Sequence, residues 1–507
     1  GFALAVTFID AGNIGGGGFM TIKIDQEVAF LDYREKAPLT AHKNMYLNDQ
    51  GDVIDNITLI GGQAAGVPGT VAGFWEAHQR FGQLPWKDLV QPAIELADKG
   101  FMPAPILVES IHSMEQRFEG KTNFNDYFNS ISSDSLFRQP ELANTLRRIA
   151  EFGADDFYRG ETAALIVQQM EKSNGLISLE DLDAYAAVWR APVRAGWRDY
   201  EIISAPPPSS GGFAIVQLLK MKDYLSELFE GVEHNSAQYI HLVAEMEKRV
   251  FADRAEYLGD PDFFDIDIDA LIDDDYLARR AAEVNPKAIS VLDSVNPGLE
   301  SPNTTHYSIV DQWGNAVSNT YTINWDYGSG VVVGGAGFLL NNEMDDFSAK
   351  PGTPNIYGVV GSVANEIQPG KRMLSSMSPT IVLKDGEVEM VLGTPGGSTI
   401  FTTVFQVITN IVDFGMSVEE AIGIARFHHQ LVPPDLITYS GFTIDQHLPK
   451  VTVGDLSEKG YRSEPHSFEY GDVQIIVRSG DSWIAASDPR DRGQSRVFEV
   501  TTKTRDR

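Results

Sequence analysis

Cysteine is absent from all 507 residues. Disulfides, thiolate metal sites and a cysteine nucleophile are therefore excluded, while the compartment stays open. No apolar run is long enough to cross a bilayer. Positive charge is scarce, with 40 Lys and Arg against 71 Asp and Glu, a net −31. That balance argues against nucleic acid as a partner and favours solubility, without naming a substrate. Four consecutive glycines, Gly15 to Gly18, come with neither a GKS or GKT ending nor a GxGxxG in a βαβ setting, so a phosphate loop is not supported. Asp265, Asp267, Asp269 and Asp273 to Asp275 lack the central glycine and terminal glutamate of an EF-hand, and read as a solvated acidic face. Phe427-His428-His429-Gln430 does not read as a metal site, because adjacent side chains do not face one point. No metal is expected.

Hydrophobic residues at 43% and charged residues at 22% read as a soluble globular chain, long enough for a large core. Strands are predicted at 19–24 and 27–33, ending near Arg34. Helical spacing follows at 72–81, 86–99, 103–117, 140–152 and 161–173, with Ser178 as the N-cap of the next helix. Residues 193–204 read as a strand. Pro206-Pro207-Pro208-Ser209-Ser210-Gly211-Gly212 reads as a structural turn opening a helix to about residue 230, and 236–257 as another helix. The proline-containing stretch 285–303 reads as a mobile linker. Beyond it come strands at 305–311, 316–323, 330–333, 379–384 and 387–392, helices at 399–413 and 417–427, and strands at 473–478 and 482–487. Pattern alone gives mixed α and β.

Thr304-Thr305-His306-Tyr307-Ser308 can be read in two ways. On pattern it starts a half-buried strand. Chemically, a threonine hydroxyl becomes a useful nucleophile when its own α-amine serves as base, once the peptide bond before it is cut. Such an amine titrates near ~8, so part of it is neutral near pH 7. Asn341-Asn342-Glu343-Met344-Asp345-Asp346 reads equally well as a helix cap or a cation site. Asn56-Ile57-Thr58 and Asn303-Thr304-Thr305 match glycosylation sequons, the second by coincidence.

Several ordered motifs tip the reading. Thr304-Thr305-His306-Tyr307-Ser308, Gly314-Asn315-Ala316-Val317, Thr320-Tyr321-Thr322-Ile323-Asn324 and Leu340 to Phe347 together resemble the gamma-glutamyltranspeptidases, and the likeness spans nearly the whole chain. The resemblance implies an α+β, four-layer αββα sandwich of the N-terminal-nucleophile hydrolase type. It implies an autoprocessing γ-glutamyl transferase and hydrolase, with cleavage between Asn303 and Thr304. Regions 1–303 and 304–507 would then form a large and a small fragment, a heterodimer intertwined in one domain. Glutathione is the expected donor, water or an amino acid or dipeptide the acceptor. No cofactor is implied, and the expected setting is periplasmic or secreted. Family members usually carry a few dozen residues ahead of Gly1, so a trimmed start is expected.

The same resemblance assigns roles. Thr304 is the nucleophile, supported by the hydroxyl of Thr322. Gly396 and Gly397 form the oxyanion hole, for which backbone N–H groups opening a helix are suited. Arg34 grips the substrate α-carboxylate with Ser375 and Ser376, a guanidinium fork being matched to that group. Asn324, Glu343 and Asp346 hold the α-amine, and Glu343 stands where many members have glutamine. Tyr357 tips a lid over 351–358. The glycine run would let two sheets approach. The closest rival is an acylase acting on glutaryl-cephalosporins or poly-γ-glutamate, whose glutaryl group lacks the α-amine. An unprocessed, inactive homologue is the rival of another class.

Overall fold

The structure is a computed structural model describing residues 1–291, 304–348, 363–440, 447–466, 470–490 and 493–499. In chain order its strands are β1 (Gly17–Ile24), β2 (Glu27–Asp32), β3 (Val188–Arg190), β4 (Val193–Trp197), β5 (Tyr200–Ser204), β6 (Thr305–Val310), β7 (Ala316–Thr322), β8 (Thr380–Lys384), β9 (Glu387–Gly393), β10 (Phe427–His428), β11 (Leu436–Tyr439), β12 (Arg462–Pro465), β13 (Gln474–Ser479) and β14 (Ser482–Ser487). Two large sheets run β3-β2-β1-β7-β6 and β14-β13-β9-β8-β5-β4, beside a small β10-β11-β12 sheet.

Alternation along β1 shows why the sheets stack. Met20 and Ile22 turn outward to helices, while Phe19 turns inward to meet Phe30, Met377 and Ile400. The Thr21 hydroxyl, also inward, donates to the Pro379 carbonyl of the other sheet at 2.7 Å. Ile203, Ala316, Ile381, Leu383, Val388 and Val391 complete the apolar layer between the sheets. Helices Thr70–Phe81, Trp86–Lys99, Pro140–Phe152 and Glu161–Ser173 cover the first sheet, and Gly211–Tyr224, Ala237–Tyr257 and Thr399–Val412 the second. The layers are helix, sheet, sheet, helix: an α+β, αββα sandwich. Strands from before and after Thr304 are neighbours in both large sheets, β1 beside β7 and β5 beside β8. Among the described residues no helix is long and apolar enough to cross a membrane.

Several local expectations need correction. Residues 193–204 form a hairpin, β4 and β5, because Arg198 adopts a left-handed φ of 54° and reverses the chain. Residues 330–333 are no strand, and only Val332 bridges Leu339. The helix after Gly211 stops at Tyr224, followed by a short turn Ser226–Phe229. The helix expected at 417–427 spans Val418–Gly423. The glycine run does not serve to let the two sheets approach. A Cβ at Gly15 would strike the Leu339 carbonyl at 2.1 Å, and one at Gly17 the Tyr33 carbonyl at 2.5 Å, so the crowding comes from chain packed beside β1. The acidic run does more than face solvent: Asp267 accepts from Ala270 N–H and Asp273 from Tyr276 N–H, capping two helices. The start of the expected mobile linker is held down. His241 bonds the Asn285 carbonyl at 2.8 Å, and Lys248 the Ser290 carbonyl at 3.1 Å.

Candidate active site

Thr304 immediately precedes β6, an edge strand of the first sheet. Antiparallel register pairs Thr305 with Tyr321, which sets Thr304 opposite Thr322. Opposed residues on one face lie within side-chain reach, and the Thr304 hydroxyl donates to Thr322 Oγ1 at 3.3 Å. Thr322 Oγ1 also accepts the Asn324 N–H at 2.8 Å, so the strand end is tied to the segment that follows it. Both threonines are buried.

Arg34 lies just past β2 and is almost fully buried. Its backbone is fixed from two sides: its N–H donates to Asp32 Oδ1 at 2.9 Å, and its carbonyl accepts from the Tyr185 hydroxyl at 2.8 Å. The guanidinium forks onto two carboxylates, Nη1 to Glu343 and Nη2 to Asp346. Nε and Nη2 also donate to the Met373 and Leu374 carbonyls, each at 3.3 Å, which ties the fork to the backbone just before Ser375. Glu343 opens a 3-10 turn, Glu343–Asp346. Asn341 holds that turn, its Oδ1 accepting from Glu343 N–H at 3.0 Å and its amide nitrogen bridging the carbonyls of Gly15 and Gly66. Asn342 makes no side-chain cap to this turn; Glu343 and Asp346 instead face the Arg34 guanidinium, and Asp345 accepts from Thr58. The Asn324 side chain donates to Asn342 O at 3.1 Å.

Burial opposes the Arg34 charge, but Glu343, Asp346 and Glu35 overcome it and raise its pKa. Glu35 was not singled out by the sequence. It is fully buried, 3.6 Å from Arg34 Nη1, and among the described residues neither carboxyl oxygen has a hydrogen-bond partner. Burial pushes its pKa up to about 8, against the pull of Arg34. Burial raises that of Glu343 too, and Arg34 opposes it. Around one guanidinium, burial thus pushes both Glu35 and Glu343 toward the protonated form while Arg34 pulls both the other way.

Gly396 and Gly397 precede helix Thr399–Val412 with φ of 136° and 56°, conformations that suit glycine. Their carbonyls accept from Thr399 and Ile400, while among the described residues no acceptor takes their N–H groups. Gly393, where β9 ends, lies under His306: a Cβ there would meet the ring at 2.3 Å. The turn at 394–397 is thereby carried toward the strand that Thr304 begins. His306 is buried and neutral, its pKa lowered to about 3 by burial, with Thr320 and Ser308 as partners. His428 and His429 diverge, one to Thr402 and Gln430, the other to the Pro434 carbonyl. Tyr357 and Asn303 lie outside the described residues.

A sequence profile of the family described as Gamma-glutamyltranspeptidase matches residues 1–498. The glutathione hydrolase proenzyme of Pseudomonas aeruginosa is 56% identical over 498 residues, 98% of this chain and 89% of that one. The chain belongs to the gamma-glutamyltranspeptidase family. A gamma-glutamyltranspeptidase from Pseudomonas nitroreducens, solved with L-DON, superposes with a TM-score of 0.56 at 55% identity, covering 57% of this chain and 87% of its own. A cephalosporin acylase from Bacillus halodurans superposes with a TM-score of 0.83 at 23% identity, covering 99% and 90%, a likeness of fold. This transpeptidase is therefore an enzyme of the N-terminal-nucleophile hydrolase class, and the family's activity is autoprocessing γ-glutamyl transfer and hydrolysis.

Sequence reading missed part of the transpeptidase's machinery. Ser209 and Ser210 do more than turn the chain: Ser209 Oγ donates to Met377 O at 2.7 Å, Ser210 N–H to Ser375 O at 2.8 Å, and Ser375 N–H to Pro208 O at 2.8 Å. Two proline- and serine-rich stretches thus brace one another, and their shared composition was the signal available.

Proposed function

We propose that this transpeptidase cuts itself between Asn303 and Thr304, then hydrolyses or transfers γ-glutamyl amides, with glutathione as donor. In the first stage Thr304 Oγ attacks the Asn303 carbonyl. The C–N bond breaks, the nitrogen leaves as the Thr304 amine, and water cleaves the resulting ester. In the second, that amine takes the hydroxyl proton as Oγ attacks the donor's γ-carbonyl, the N–H groups of Gly396 and Gly397 receive the oxyanion, and the leaving amine departs with the proton. Water or the amine of an amino acid or dipeptide then takes the acyl group. Fragments 1–303 and 304–507 stay together as a heterodimer, because each large sheet is shared between them, β1 pairing with β7 and β5 with β8. The proposed setting is periplasmic or secreted.

The observation that carries the substrate reading is the internal ion pairing of Arg34 with Glu343 and Asp346, next to the Leu374 carbonyl that leads into Ser375. One cation and two anions in a buried site match a zwitterion. The donor's ammonium replaces Arg34 on the acids, and its carboxylate replaces the acids on Arg34. A glutaryl group would take Arg34 and leave Glu343 and Asp346 buried without a counter-charge, which is costly. Rates with γ-glutamyl- and glutaryl-p-nitroanilide test this. A preference of about 100-fold or more for γ-glutamyl is expected, and equal kcat/KM would overturn the reading.

Glu35 gives the site a pH dependence. A carboxyl with a raised pKa is neutral below it and charged above. Ionised Glu35 would add an anion beside Arg34 and compete with the substrate carboxylate. Donor KM is expected to rise several-fold between about pH 7 and pH 9, less so in Glu35→Gln. Parallel KM–pH profiles for the two proteins would contradict this.

A further inference from the structure

Helix Ala237–Tyr257 carries Arg254 to the back of the Ser375–Ser376 segment. The side chain is 5% exposed. Its Nε donates to Ser210 Oγ at 3.1 Å, and Nη2 approaches Ser376 Oγ at 3.4 Å. Ser210 Oγ donates in turn to the Ser375 carbonyl at 3.0 Å, a carbonyl that also accepts the Ser210 N–H.

Chemistry fixes the direction of these bonds. A guanidinium has donors and no acceptor. Against each hydroxyl it occupies a lone pair and cannot take the proton. Ser210 commits its proton to Ser375 O. Ser376 Oγ lies 3.4 Å from both Arg254 Nη2 and Ser210 Oγ; the guanidinium can only donate to it and Ser210 has committed its proton, so neither gives Ser376 an acceptor as close as a bound carboxylate would. A hydroxyl held from behind by a cation is a better donor forward.

We propose that Arg254 is a positioning residue for recognition of the donor's α-carboxylate: it turns the Ser376 hydroxyl into a fixed donor, and through Ser210 it holds the Ser375–Ser376 backbone in place. This rests on the reading of Ser375 and Ser376 as part of the carboxylate grip. Arg254 acts through these serines and does not itself touch the substrate.

The test compares two donors on purified, processed enzyme. One is γ-glutamyl-p-nitroanilide. The other is 4-aminobutyryl-p-nitroanilide, which keeps the chain and the amine and lacks only the α-carboxylate. Arg254→Met should raise KM for the first by about tenfold, the scale of one charge-assisted bond, with kcat within about twofold. Its kcat/KM for the second should stay within about twofold of the parent, and on the first donor the losses of Arg254→Met and Ser376→Ala should combine less than additively in the double variant. Equal losses on both donors would mean a merely structural role and overturn the proposal. A raised KM in Ser376→Ala with none in Arg254→Met would overturn it while leaving the carboxylate grip standing. No KM change in Ser376→Ala would sink the grip and the proposal together. Should Arg254→Met fail to mature, Ser210→Ala, which severs the second arm, is read on the same donors against the same criteria.

Discussion

Thr304→Ala is expected to purify as one uncut chain and to show no turnover above background, a loss of about 10⁴-fold or more. The variant lacks the hydroxyl needed for both stages, so it is blocked before the amine is even freed. Its fold should survive. The lost contact is the 3.3 Å bond to Thr322, and a bond of that kind contributes about 1 kcal/mol. Thr304→Ser keeps hydroxyl and amine and should complete both stages more slowly. A denaturing gel beside a γ-glutamyl-p-nitroanilide assay checks all three proteins. Turnover by an uncut Thr304→Ala chain would remove Thr304 from the chemistry.

Arg34→Met should lower donor kcat/KM by about 100- to 1000-fold, mainly through KM. Losing one partner of a buried charge pair costs about 3–5 kcal/mol, and here Glu343, Asp346 and Glu35 all lose the same cation. The substrate's carboxylate loses its fork as well. Thermal stability should fall, and the fall should deepen with rising pH. Without Arg34 the buried carboxyls have folded-state pKa values above their unfolded ones. Stability from such groups is present at low pH and lost as pH rises through the folded values. Donor kinetics and melting temperature at about pH 6 and pH 8 measure both effects. A KM close to that of the parent would show that Arg34 does not hold the carboxylate.

Thr304 and Thr322 became legible through the family motifs, and the antiparallel register of β6 and β7 then sets the two opposite each other. Arg34, Glu343 and Asp346 became legible only through family motifs, since nothing in their spacing brings residue 34 to residues 343 and 346. Arg254 was hidden for another reason. Glu245, Glu247, Lys248, Arg249, Asp253 and Arg254 look like the solvated face of a helix, yet all are buried. Periodicity shows which face is polar, and says nothing of the segments that arrive to cover it. Here Glu283 to Ser290 and His429, just past β10, do so, through Arg249, Lys248 and Glu247. The β4–β5 turn escaped notice because Arg198-Asp199 carries neither glycine nor proline. Glu35 escaped because a carboxylate beside an arginine reads as a simple pair, and only the three-dimensional structure shows both oxygens buried and, among the described residues, without hydrogen-bond partners.

The claim that Thr304 becomes a chain terminus and then carries the acyl group is best tested by intact mass and peptide mapping of enzyme mixed with γ-glutamyl-p-nitroanilide and quenched in acid. The account predicts a fragment beginning at Thr304 that bears one γ-glutamyl group as an ester on that residue. A γ-glutamyl group on any other side chain, or an active chain whose Asn303–Thr304 bond is intact, would contradict it.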